Sequence, residues 1–140
     1  MRVLRAGVAY FALVFAAGFV LGAVRVPLLV PRLGERTAEL LELPFMGLVV
    51  VLVSRWRQRR TPELSPSQQL GVGGFALLLL LTAECALGAV LQGRSPIEVL
   101  LAHDPVSGSV YYALLVVFGL LPWWWARRVS RCARPHRRRS

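Results

Sequence analysis

The sequence has no lysine, only two cysteines and only seven acidic residues among its 140 positions. All 17 basic residues are therefore arginine, and the formal net charge is +10. Using arginine alone reflects a GC-rich coding sequence better than a chemical need, so the information lies in where the arginines fall. The two cysteines exclude a disulfide scaffold: Cys85 sits inside an apolar block and Cys132 in a basic C-terminal segment, at different expected depths. No metal-ligand spacing is present. Polar residues are also scarce, since 56% of the chain is hydrophobic and the mean hydropathy is +0.56. A soluble domain of this length needs a polar coat, and most of this chain lacks one.

What is present is four apolar blocks separated by short charged segments. Blocks at 6–24, 70–91 and 106–125 match the roughly 20 residues a helix needs to cross about 30 Å of hydrocarbon. The block at 43–53 is too short alone and must borrow from 38–42. Ser65-Pro66-Ser67-Gln68 reads as a capping box opening helix three. Ser95-Pro96-Ile97-Glu98 repeats the device before a short apolar stretch that is expected to lie along the interface, and Asp104-Pro105 opens helix four. Trp123, Trp124 and Trp125 stand at its far end, where an aromatic belt is expected. The predicted fold is all-α, a four-helix transmembrane bundle forming one membrane domain over 1–126. Its helices fall at about 6–24, 38–54, 66–91 and 105–126, with short loops favouring antiparallel neighbours in sequence order. Residues 127–140 are expected to form a disordered basic cytoplasmic tail.

Orientation follows from the arginines. Placing the N-terminus inside puts about 13 of them in cytoplasmic segments and leaves Arg25, Arg32, Arg36 and Arg94 outside. The positive-inside rule then predicts both termini in the cytoplasm of a bacterial inner membrane. Block one is too long for a signal peptide's apolar region, and no Ala-x-Ala site follows it, so it is expected to be retained.

Polar residues inside apolar blocks carry the most functional information. Glu84 interrupts helix three, where an ionised carboxylate costs roughly 3 kcal/mol and must be neutral, paired or facing water. Counting 1.5 Å per residue puts Glu84 about 21 Å and Glu42 about 20 Å from the cytoplasmic surface, with Arg25 about 29 Å up. A polar cluster of Arg25, Glu42 and Glu84 in the outer leaflet is therefore expected. Arg32, Glu35, Glu39, His103 and Asp104 form a candidate outer face, and Tyr111 and Tyr112 approach from helix four. Glu35, Glu39 and Glu42 share one face at i, i+4 and i+7. Pro44 would free the carbonyl of Leu40 beside them.

Two readings compete for this cluster. Buried Glu–Arg pairs can be packing glue between helices, or they can bind something. The neighbours of Glu84 on its own face are Leu77, Leu80, Leu81, Leu87 and Gly88, so no polar stripe leads away from it. Gly18-x-x-x-Gly22 permits close helix approach within the bundle or between copies. The Gly71-Val72-Gly73-Gly74 run lacks the context of a phosphate loop. The basic tail suits anionic lipid headgroups, through the seven arginines between positions 127 and 139. It lacks the motifs that nucleic acid binding would require. His103-Asp104 adjacency does not make a catalytic dyad, and Ser107 and Ser109 read as loop and cap residues.

Two segments resemble a known group. One contains Gly18, Gly22, Arg25, Pro31, Gly34-Glu35 and Glu42-Leu43-Pro44, and the other runs His103-Asp104-Pro105-Val106-Ser107-Gly108 to Tyr111. Over about 6–126 the chain resembles small four-span bacterial inner-membrane proteins that have no established activity. The resemblance implies a fold and a membrane location, and no chemistry. Read together, the residues point to a non-enzymatic structural or accessory membrane component that needs no cofactor. Its expected partners are the bilayer and a second copy or another membrane protein. The alternative is a small oligomeric transporter or ion-coupled carrier using the intramembrane carboxylates.

Overall fold

The computed structural model describes residues 1–93, 95, 97 and 105–132, and all of their regular structure is helical. Helix α1 covers Arg2–Val24, a π-helical turn follows at Arg25–Leu29, and α2 covers Val30–Leu33. Then come α3 at Glu35–Arg60, α4 at Pro66–Gln92 and α5 at Pro105–Cys132. Four stretches are long and apolar enough to cross a membrane, with Arg2–Leu33 acting as a single one. The all-α four-helix architecture is the one expected.

The first helix runs well past position 24, its expected end. The π turn explains this. The Val30 N–H donates to the Arg25 carbonyl five residues back, and this wider register takes up Pro27, which has no N–H to offer. Gly34 then reverses the chain at φ 79° and ψ 160°, a region open essentially to glycine. Its N–H donates to the Val30 carbonyl at 3.0 Å, and its own carbonyl accepts from the Ala38 N–H at 3.1 Å. One residue thus closes α2 and opens α3.

Helix α3 is longer at both ends than the expected 38–54, and it passes through Pro44 without a break. Helix α4 opens as its sequence predicts. Ser65 Oγ accepts from the Gln68 N–H at 3.3 Å, while Gln68 Oε1 accepts from the Ser65 N–H at 2.9 Å. It ends at Gly93, which takes the left-handed conformation with φ 62°. Helix α5 continues to Cys132, so positions 127–132 are helical and not part of a disordered tail. Arg127 and Arg128 lie over the rings of Trp123 and Trp124, one turn back, which supports that last stretch. The rest of the tail, the Ser95–Glu98 capping box and the interfacial segment lie largely outside the described residues.

The helices do not surround the core in sequence order. Helix α1 packs on α3 and α4, and α5 packs on the same two, which leaves α3 and α4 diagonal to each other. The expected sequence-order arrangement fails because the 61–65 connection crosses the end of the bundle. Tyr10, Val14, Val50, Ala76, Leu80 and Phe118 form the buried core. The Tyr10 and Phe118 rings stack at 4.5 Å and 10°, and the Tyr10 hydroxyl donates to the Phe118 carbonyl at 3.1 Å, joining the α1–α5 diagonal. The closest helix approach is between α4 and α5. A Cβ added to Gly73 would lie 1.9 Å from the Gly119 carbonyl oxygen. The glycine run is therefore a packing device. Gly18 faces Met46 inside the bundle, while Gly22 faces open space.

Candidate functional site

The α2–α3 reversal brings the first polar group together. Arg25 lies nine residues before Gly34 and Glu42 eight after it, so an antiparallel hairpin places them at one level. Arg25 Nε is 3.1 Å from Glu42 Oε2, and Arg25 Nη1 is 3.5 Å from Glu39 Oε1. The three side chains are 25%, 18% and 19% exposed, well withdrawn from solvent. Here Coulomb attraction is stronger than at an open surface, and one guanidinium serves two carboxylates. Arg32, Glu35 and Arg36 are exposed around this group.

Glu84 does not join it. It lies on the opposite seam of the bundle, between α4 and α5, where its Oε2 accepts a hydrogen bond from the Tyr111 hydroxyl. The Tyr111 ring meets Tyr112 edge-on, with centroids 5.5 Å apart. Residue counting could not say which seam Glu84 faced. The expected single cluster is therefore two cross-ties, one closing α1 on α3 and one closing α4 on α5. His103 and Asp104 lie outside the described residues.

Around these ties, chemistry is limited. Among the described residues no three of His, Cys, Asp and Glu gather closely enough to hold a metal ion. An open groove of about 490 Å³ runs between α1 and α3, and its lining side chains, Ala17, Leu21, Phe45 and Val49 among them, are all apolar. It offers contact area without a reacting group.

A second polar group, at the other end of the bundle, was missed from the sequence. Ser54, Arg57, Gln58 and Gln69 are buried there, with Ser54 and Gln69 fully enclosed and Arg57 only 3% exposed. Arg57 Nη2 donates to Gln69 Oε1, crossing the α3–α4 diagonal, and its guanidinium lies 5.7 Å from the Tyr10 ring centre. Gln69 Nε2 donates to the Thr61 carbonyl at 3.4 Å, and Thr61 Oγ1 to the Arg57 carbonyl at 3.2 Å. Arg57 looked like one more arginine of a charged connection. The available signal was periodicity: Met46, Val50, Ser54 and Gln58 continue one helix face, and Arg57 sits beside its end.

The same end carries every tryptophan of the chain, each with a guanidinium over its ring. Arg60 lies 4.8 Å from Trp56, Arg127 4.2 Å from Trp123, Arg128 3.8 Å from Trp124 and Arg55 5.6 Å from Trp125. Such pairs present an amphipathic ring beneath a charge, a combination suited to a lipid headgroup layer.

Comparison with protein-family models, with curated proteins and with solved structures gives no match.

Proposed function

We propose that this chain is a four-span protein of the bacterial inner membrane, with both termini cytoplasmic, and that it acts as a non-enzymatic structural or accessory component of a membrane assembly. The observation that carries this reading is how the candidate polar residues are used. Arg25 with Glu39 and Glu42, and Tyr111 with Glu84, tie neighbouring helices to each other. Groups held this way fix one helix arrangement, which is the role buried polar pairs serve in bundles. The tryptophan–arginine belt suits a membrane–water interface, at the end where the positive-inside rule puts the cytoplasm. The exposed Arg127 and Arg128 suit anionic headgroups there.

One observation favours an ion-coupled carrier instead. The π turn at Arg25–Leu29 sits directly beside the Arg25 pair, and π turns occur often at functional sites. Reconstituted vesicles separate the two readings. The structural role predicts no proton- or sodium-dependent flux from wild-type protein and a folded Glu84→Gln variant. Flux that Glu84→Gln abolishes while the protein still folds would establish the carrier. Fusing a reporter active only in the periplasm to the C-terminus tests orientation separately: it should be silent, and activity would overturn the assignment of both termini to the cytoplasm.

A further inference from the structure

Arg57 is a buried cation for which the described residues supply no counter-charge. Among the described residues, no carboxylate lies within ion-pair distance of it. Glu63, the acid nearest in sequence, is exposed and paired with Arg2 at 2.8 Å. Glu39 and Glu42 are held by Arg25, and Glu84 takes the Tyr111 hydroxyl. Glu98 and Asp104 lie outside the described residues.

The guanidinium is also under-used as a donor. Its Nη2 meets Gln69, but Nε and Nη1 are buried without acceptors. Ser54 Oγ, three residues earlier on the same face, is buried beside the Tyr10 hydroxyl. A lysine here could shed its proton and become neutral, but arginine stays charged in proteins. Removing an unpaired ion from water costs several kcal/mol, so the site is completed only when an anion enters it. The tyrosine ring beneath Arg57 offers a weak cation–π contact and no charge.

The surroundings select the class of anion. Arg57 lies three residues from the end of α3, at the same end as the tryptophan–arginine belt. Arg55, Arg59, Arg60, Arg127 and Arg128 are exposed around that end, giving a positive field that concentrates anions. Its two unused N–H groups can donate to a multi-oxygen anion, the kind of acceptor guanidinium groups bind best. We infer that Arg57, with Ser54 and Gln69 beside it, is the centre of a binding site for a phosphate-class oxyanion, supplied by a phospholipid headgroup or by free phosphate. The lipid source rests on the membrane reading above, whereas the phosphate source does not.

The test uses full-length protein purified in an uncharged detergent. Thermal unfolding is followed while inorganic phosphate is titrated at constant ionic strength, with chloride making up the balance. Co-purifying phospholipid is counted by native mass spectrometry. A saturable rise in Tm with phosphate identifies the free anion as a ligand. One retained anionic phospholipid per chain identifies the headgroup. Arg57→Gln should abolish whichever effect is seen, Arg57→Lys should weaken it, and Arg59→Gln, an exposed neighbour, should leave it intact. The inference is overturned if wild-type protein shows neither effect, if folded Arg57→Gln keeps the effect, or if Arg59→Gln loses it as fully as Arg57→Gln does. Should Arg57→Gln fail to fold, the wild-type titration and Arg57→Lys against Arg59→Gln still decide. Loss of phosphate response with persistent phospholipid, or the reverse, assigns the source without disturbing the site.

Discussion

Replacing Gly73 by alanine adds a single methyl group at the tightest point of the bundle. The new Cβ would stand 1.9 Å from the Gly119 carbonyl oxygen and 2.9 Å from its carbon, both backbone atoms that no rotamer change can move. Ordinary contact begins near 3.4 Å, so α4 and α5 must separate locally by about 1.5 Å. Overpacking a well-filled core costs about 1–3 kcal/mol, and a backbone obstacle puts this case at the upper end, about 3 kcal/mol. The neighbour Gly74 is the matched control, because a Cβ there meets nothing within 4 Å. Gly74→Ala should stabilise the protein by up to about 1 kcal/mol through helix propensity alone. Unfolding in a denaturing detergent, followed by the fluorescence of Trp123, Trp124 and Trp125 on α5, measures both. The expected order of stability is Gly74→Ala, then wild type, then Gly73→Ala. If Gly73→Ala is as stable as wild type, α4 and α5 do not approach as described and the argument fails.

The remaining expectations follow from the ties and the caps. Arg25→Ala should cost about 2 kcal/mol, between the values for exposed and fully buried pairs, and adding Glu42→Gln should recover part of that loss. An unchanged unfolding midpoint for Arg25→Ala would show that the pair contributes nothing. Ser65→Ala removes one half of the capping box and should cost about 1 kcal/mol, with amide exchange accelerating first in the opening turn of α4. Exchange there identical to wild type would mean that the cap is not used.

The number of helices and the capping box were readable because they rest on local chemistry. Apolar runs, Ser65, Pro66 and Gln68 act within a few residues of themselves. The continuation of the first helix through Pro27 and Pro31 was not readable, since a proline signals a break unless the hydrogen-bond register widens around it. Which seam Glu84 faces depends on packing order, and that order is set by the path of residues 61–65 and by the meeting of Gly73 with Gly119. Counting residues along a helix does not reveal an acid's partner. Arg57 was hidden by its company. Among Arg55, Arg59 and Arg60 it looked like loop charge, and only the register of α3 turns it inward.

Because α3 and α4 lie diagonally, the chain divides into two antiparallel hairpins, residues 2–60 and 66–132, joined by one short link. Each hairpin holds its own polar tie, Arg25 with Glu39 and Glu42 in the first and Glu84 with Tyr111 in the second. Each tie lies within one half and can form before the other half has been synthesised. What waits for the second hairpin are Arg57 and Tyr10, whose contacts with Gln69 and Phe118 form only when the two halves meet. Assembly of the whole is in this sense registered at these residues.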